Sequence, residues 1–477
     1  MRLPHLLPGL LLTALAACTS VGPDYQLPDE AAVQRTDLQG PLLADERDLT
    51  AAALPDTWWQ LYHDPLLDQL IEQALIANSD LRLAQANLAA ARARVSEAQE
   101  QGGFEGSADT GVQRLQESGE AFLLPDKVPV ANIGVAEVKV SYQLDLWGTL
   151  ARGVEAAQAN ADAQQAAADV ARITVVADVA QAYTQVCAAN EERHIAESSL
   201  ALQQQSHALT QQLRDAGRGN DNEVTRADAQ TKYLSSQLPK FEAARQSGLF
   251  RLSMLLATPL DALPAGVSDC SALPQLSQLL PVGDGAAMLR RRPDIRQAER
   301  QLAAATARIG IATGQLYPDI SLGATVGTIG LVENLGTASA NRWGFGPLIS
   351  WTFPTNGARA RIAAAEANTQ GALAQFDGVV LNAMRETRTA MVEYTAALDR
   401  RDAMQASEQA AALAASQTQQ LYRAGRVSFL DELQATRNLT DMRAELAAVN
   451  TEVTLRQIKL FLALGGGWQT ASAAAQN

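Results

Sequence analysis

IATGQLYPDISLGATVG, Ile311 to Gly327, changes structural character halfway along. An alanine-rich helical pattern runs into it and stops at Pro318, which lacks the N–H that a helix interior needs. Beyond the proline, Ile320, Leu322, Ala324 and Val326 alternate with Asp319, Ser321, Gly323 and Thr325. That period of two marks a strand with one apolar face. After a Gly/Asn/Ser-rich loop, Trp343, Phe345, Ile349, Trp351 and Phe353 alternate with Gly344, Gly346, Ser350 and Thr352. Strands are expected at about 318–328 and 342–353. Each has the roughly 9–11 residues that cross a bilayer as a tilted strand. Aromatic residues gather at the ends of the second, as in an interfacial girdle.

The chain repeats this arrangement. Leu81–Val95 (LRLAQANLAAARARV) resembles Ile295–Ile309 (IRQAERQLAAATARI), and Leu213–Val224 (LRDAGRGNDNEV) resembles Leu421–Glu432 (LYRAGRVSFLDE). The spacing is about 210 residues, too long for a solenoid unit and right for a tandem duplication. Each copy reads helix, strand, loop, strand, very long helix, tight glycine turn, helix. The first copy's strands fall at about 103–113 and 131–145. Within the second of them, Val138, Val140, Tyr142 and Leu144 face one way and Glu137, Lys139, Ser141 and Gln143 the other. From Gly153 to Arg214 there is no proline and alanine dominates, enough for roughly 90 Å of helix at 1.5 Å per residue. Ala358 to Arg423 matches it. The turns come at Gly217 and Gly425, and the returning helices end near Leu256 and Leu464.

Four strands cannot close a membrane barrel, since lipid tolerates no open sheet edge. Either the hairpins are soluble, or several chains pool their strands. The long helices carry small apolar residues thinly spread, which suits close packing of small-residue faces with polar faces left for water. A solvated antiparallel coiled coil is one solution. A wall of helices around a channel, feeding strands into a membrane, is the other and fits the strands better.

The N-terminus points to secretion. Arg2 precedes an apolar run from Leu6 to Ala17, too short to span a bilayer and ending in Leu-Ala-Ala-Cys. Residues 1–17 therefore read as a lipoprotein signal peptide, with Cys18 the lipidated first residue (a diacylglycerol thioether and an N-acyl chain). Thr19 follows, where an aspartate would suggest inner-membrane retention, so the outer membrane is the expected destination. The other two cysteines, Cys187 and Cys270, are expected to be separate thiols. A net charge of −14 argues against a nucleic-acid partner.

Several motifs carry a family resemblance: CTSVGPDYQLP after the leader, WWQLYHDPLLDQLIEQAL (Trp58–Leu75), DLWGTLARGVEAAQA (Asp145–Ala159), RRPDIRQAERQLAAATARIGIA (Arg291–Ala312) and FLALGGGW (Phe461–Trp468). Nearly end to end, the chain resembles the TolC-like outer-membrane factors of efflux pumps, in their NodT-type lipoprotein branch. The resemblance implies a mainly α protein with membrane β. As a homotrimer it would form a 12-stranded outer-membrane barrel continuous with a 12-helix periplasmic barrel. It implies a passive duct for drugs or other small molecules, docked to a periplasmic adaptor and an inner-membrane transporter of the RND type. The layout that follows is an N-terminal lipidated segment (18–64), a first repeat (65–258), a linker (259–284), a second repeat (285–464) and a C-terminal tail (465–477).

The resemblance also implies a closed entrance at the tips. Relatives constrict it with a D-x-x-D aspartate pair; here Asp431 matches the first and Gln434 replaces the second. Glu223 occupies the repeat position of Asp431, so three chains would present six carboxylates to the pore mouth, attracting cations and repelling anions. Tyr422 matches a family tyrosine that bridges to an acidic residue, here Glu223. The arginine that assists in some relatives falls on Val427, beside Arg426. Leu430 is a candidate apolar collar. His63, His194 and His207 lack metal-ligand spacing, and no phosphate loop or nucleophile elbow occurs, so no metal and no enzymatic activity are expected. Trp58, Trp59 and the Arg290–Arg292 run read as structural. The alternatives are a type I protein-secretion outlet or, in a different class, a lipid-anchored periplasmic coiled-coil scaffold or adaptor.

Overall fold

The structure is a computed structural model that describes residues 20–40, 42, 49–120, 123, 125–276 and 278–466. The leader, Cys18 and the tail beyond Gly466 lie outside the described residues. Eight helices of seven residues or more are described: α1 Pro65–Ala77, α2 Ser79–Glu100, α3 Thr149–Asp215, α4 Asp221–Leu255, α5 Gly285–Arg291, α6 Pro293–Gly314, α7 Asn356–Arg423 and α8 Phe429–Ala463. The four longer strands are β1 Phe104–Leu115, β2 Ala131–Leu144, β3 Asp319–Leu331 and β4 Asn341–Ser350. None of the described helices is long and apolar enough to cross a membrane.

Chain contacts divide the molecule into two units, and each unit takes part of both sequence repeats. One is built from residues up to Pro28, Asn87–Gln165 and Gln297–Phe376, the other from Asp29–Ala86, Ala166–Arg296 and the chain from Asp377 on.

The first unit holds the sheet, antiparallel throughout in the order β1-β2-β3-β4. The two hairpins meet at β2 and β3, where Val138 pairs with Val326 and Tyr142 with Leu322. Cross-strand pairing then aligns the period-two pattern of all four strands. Phe104, Val138, Val140, Leu322, Val326, Trp343, Phe345 and Ile349 share one face and are exposed. Ser107, Asp109, Glu137, Lys139, Ser141, Ser321, Thr325 and Arg342 share the other. The helix-to-strand change at Pro318 is held by neighbours. Trp147 stacks on Tyr317 at 4.6 Å and its indole N–H donates to Pro318 O at 3.0 Å. β4 stops at Ser350, three residues before the expected 353. Trp351 sits past the strand, where its indole N–H donates to Leu316 O at 3.1 Å. Pro354, three residues further on, has no N–H to extend the ladder.

In the same unit the N-terminal strap is tied down by Arg152. Its guanidinium donates to Val21 O at 3.2 Å and Gly22 O at 3.3 Å and pairs with Asp24 and Glu155 at 2.6 Å each.

The second unit has the thicker core. Asp64 caps α1, accepting from the Leu66 and Leu67 N–H groups, and its other oxygen accepts from the Tyr183 hydroxyl at 2.9 Å. Leu67, Leu70 and Ile71 are thereby fully buried. Trp58, 1% exposed, stacks on Phe461 at 4.6 Å, and Trp59 is also buried, so the tryptophan pair packs the N-terminal segment as read. Arg292 is structural too: it donates to Ala463 O at the end of α8 and pairs with Asp294 and Glu386.

The expectation of separate thiols is overturned. Cys187 and Cys270 form a disulfide across 83 positions. Asn190, one turn beyond Cys187, donates to Ser268 O at 2.9 Å and Cys270 O at 2.7 Å, drawing that irregular segment onto α3. The two Cα atoms end 4.7 Å apart, inside the range a disulfide needs.

Candidate functional site

The candidate gate residues all lie in the second unit, at two tight turns, α3 to α4 and α7 to α8. Gly217 and Gly425 stand at φ +72° and +70°, a left-handed conformation that costs glycine nothing. Each closes its helix in the same way. Arg218 N–H donates to Leu213 O at 2.8 Å, and Arg426 N–H donates to Leu421 O at 2.9 Å. That six-to-one bond uses helix-terminal carbonyls that would otherwise lack partners.

The returning helices begin alike. Asn220 Oδ1 accepts from Glu223 N–H at 3.0 Å, and Glu223 Oε2 accepts from Asn220 N–H at 3.4 Å. Ser428 Oγ accepts from Asp431 N–H at 3.2 Å, and Asp431 Oδ2 accepts from Ser428 N–H at 3.0 Å. Both are capping boxes, so the two repeat-related carboxylates serve the helix starts and lie near the positive ends of the helix dipoles. The Ser428 hydroxyl also donates to Asp431 at 2.6 Å, and these bonds hold the Asp431 carboxyl below its usual range.

Leu430, Asp431 and Gln434 are exposed on one side of α8. The other side, Phe429 and Leu433, is buried against Ala227 of α4, with the Tyr422 ring packed beside them, 6.0 Å from Phe429. Burial, aided by the charges of Glu223 and Glu432, pushes the Tyr422 hydroxyl up, opposed by a hydrogen bond with Thr210. The structure thus brings Tyr422 near Glu223 and leaves Asp431 and Gln434 facing away.

The sequence reading missed Glu432. It is 5% exposed and accepts from Ser206 at 3.2 Å and Thr436 at 3.4 Å. Burial raises its pKa, against the bonds from Ser206 and Thr436 and the charge of Arg423. Phe429, Glu432, Leu433 and Thr436 follow helical spacing along one stripe, which was the signal available for its burial.

Paired long helices, paired capped tips and two hairpins joined in one sheet are the geometry of a duplicated channel subunit, and residues 70–258 and 286–466 both match one family, described as outer membrane efflux protein. The chain belongs to the outer membrane efflux protein family. It is 27% identical over 468 residues to nodulation protein T of Rhizobium leguminosarum bv. trifolii, covering 96% of this chain and 97% of that one. It is 29% identical over 468 residues to the cation efflux system protein CusC of Escherichia coli O6:H1, covering 97% and 99%. The solved outer-membrane channel OprN superposes with a TM-score of 0.86 at 32% identity, over 95% of this chain and all of that one. This outer membrane efflux protein therefore has the fold of an outer-membrane channel, and efflux across the outer membrane is its function.

Proposed function

We propose that this outer membrane efflux protein is one third of a passive duct. The observation that carries the reading is the sheet of the first unit. One face is an exposed apolar band with Trp343 and Phe345, the other is polar, and among the described residues β1 and β4 each have a single strand neighbour. Lipid tolerates the apolar face and excludes the edges. Three chains, each joining β4 to the next β1, remove every edge and make a 12-stranded barrel. The repeats at 65–258 and 285–464 each contribute one hairpin and one long helix pair, giving 12 helices in the trimer. The segment 18–64 carries the lipid on Cys18, diacylglycerol and N-acyl, and 259–284 links the repeats.

The duct takes drugs or other small molecules from an inner-membrane transporter of the RND type through a periplasmic adaptor. Its entrance is the ring of tips. Gly217 and Gly425 give the turns, Leu430, Asp431 and Gln434 of each chain face the pore, and Tyr422 near Glu223 latches neighbouring helices. Asp431 and Glu223 together make the entrance cation-preferring.

Single-channel conductance of the purified, lipidated protein tests this, wild type against Asp431→Ala plus Glu223→Ala. Small cation-selective currents that grow or lose selectivity in the variant support the duct and its acidic tips. Currents unchanged by the substitutions remove the gate and keep the duct. A monomer by native mass spectrometry in detergent, with no currents, overturns the trimer.

A further inference from the structure

Of the charges on the polar face of the sheet, which the tips do not explain, four gather in two neighbouring rows, while Glu105 and Asp319 lie further along the strands. Asp109 on β1 pairs across to Glu137 on β2, Glu137 to Gly327 on β3, and Gly327 to Arg342 on β4, a row spanning all four strands. Two carboxylates directly opposite each other repel. Lys139, two residues along β2 on the same face, joins them, its Nζ 3.0 Å from Asp109 Oδ2 and 2.7 Å from Glu137 Oε1. Arg342 reaches Glu137 from two strands away, with Nη2 2.9 Å from Oε2.

That reach runs over Gly327, the strand position between them. A Cβ there would come within 2.6 Å of Glu137 Cα, so only glycine leaves the passage open. The Glu137 side chain is 8% exposed, and the arginine lies beside Oε2 as an ion pair without the alignment of a hydrogen bond. A groove of about 610 Å³ lined by Asp109, Glu137, Gly327 and Arg342 follows the row. On the same face Gly323 stands opposite Gly346, and Gly344 stands opposite Thr325.

We infer that Asp109, Glu137, Lys139 and Arg342 form a charge-compensated ring on the inner wall of the barrel, which passes solutes of either sign and leaves discrimination by charge to the tips. The inference rests on the duct reading, since only a closed barrel makes this face an inner wall. Each chain contributes two acids and two bases, so three copies sum to zero at that level. Ion pairs within a row cancel each other's field over a few ångströms, whereas one unpaired charge per chain does not, because the apolar wall screens it poorly. Lys139 and Arg342 are the residues that keep the ring neutral.

The test is the reversal potential of the full-length protein in planar bilayers under a potassium chloride gradient. Glu137→Gln is expected to lower the potassium-to-chloride permeability ratio and Arg342→Gln to raise it, each roughly threefold for three uncompensated charges beside the pore. Lys139→Gln provides a second removal of a base should Arg342→Gln fail to fold, and Arg342→Lys is expected to keep the wild-type ratio. The shifts should persist when Asp431→Ala and Glu223→Ala are added. Shifts of the same sign from acid and base removal, or a fall in melting temperature with no shift, would make the row a staple for strand register and overturn the ring. Absence of current from folded wild type would overturn the duct reading and the ring with it.

Discussion

The two tips share a backbone and a cap and differ in the side chains that pack around them. Gly217 and Gly425 turn alike, and Asn220–Glu223 and Ser428–Asp431 cap alike. Yet Asp221 begins α4 with its side chain 89% exposed, whereas Phe429 begins α8 at 4%. Arg214 at the first tip pairs with Asp215 and Asp221 in solvent. Its repeat counterpart Tyr422 packs on Phe429 and Leu433. Duplication preserved the elements that fix chain direction, and divergence gave the second tip the aromatic side of a cluster that closes on Ala227 of α4 and gave the first a charged skin. A surface ion pair in water contributes little. A buried aromatic contributes several times more. The second tip is therefore the stiffer of the two, and the first the more easily displaced.

The largest expected effect comes from deleting that asymmetry. Phe429→Ala should destabilise the second tip by about 3 kcal/mol, the ordinary cost of emptying a buried aromatic site. Asp221→Ala should change the first tip little, since its partner Arg214 keeps Asp215. Hydrogen exchange over the first turns of α4 and α8 reads both, and equal losses of protection would break the comparison. A smaller effect tests what the tips share. Asn220→Ala and Ser428→Ala should each cost about 1 kcal/mol, the usual value of an N-cap side chain. Because the box geometry is common to both, the two losses should match within a few tenths of a kcal/mol. A much larger loss at Ser428 would mean that its bond to Asp431 does more than cap.

Much of this was legible in the sequence. Alternation along β3 and β4 marked the strands because a strand with one apolar face must alternate. Alanine without proline marked α3 and α7, and the repeat itself supplied the pairing of tips. The capping boxes are equally legible, as Asn-x-x-Glu and Ser-x-x-Asp just after a glycine turn, a spacing that also suits Glu223 and Asp431 as pore acids. The disulfide was not legible, since nothing local to Cys187 or Cys270 records that Asn190 holds the 268–270 carbonyls. The end of β4 was misjudged because Trp351 and Phe353 continue the pattern after the ladder has stopped. Nor could alternation alone reveal that Arg342 crosses Gly327 to reach Glu137, which requires the register of three strands.

The smallest effect concerns Glu432, and its sign distinguishes two environments. Burial raises its pKa in the folded protein, while Arg423, Ser206 and Thr436 favour the charged form. Where burial wins, the folded state holds a proton that the unfolded chain has released. The stabilising contribution is then complete below the unfolded glutamate pKa, about 4.3, and is lost as pH rises through the higher folded value. Glutamine at this position cannot titrate, so the melting temperature of Glu432→Gln minus that of wild type should grow as pH is raised from about 4 towards neutrality. Tyr422 and Glu223 face the same cluster, but the Tyr422 hydroxyl, itself pushed upward, stays protonated throughout that range. The opposite trend, wild type gaining on the variant as pH rises, would mean that Arg423 outweighs burial and that Glu432 is an ion-pair partner in the second tip. The second tip would then be held by charge as the first one is, and the contrast between them would shrink to Phe429 and Tyr422.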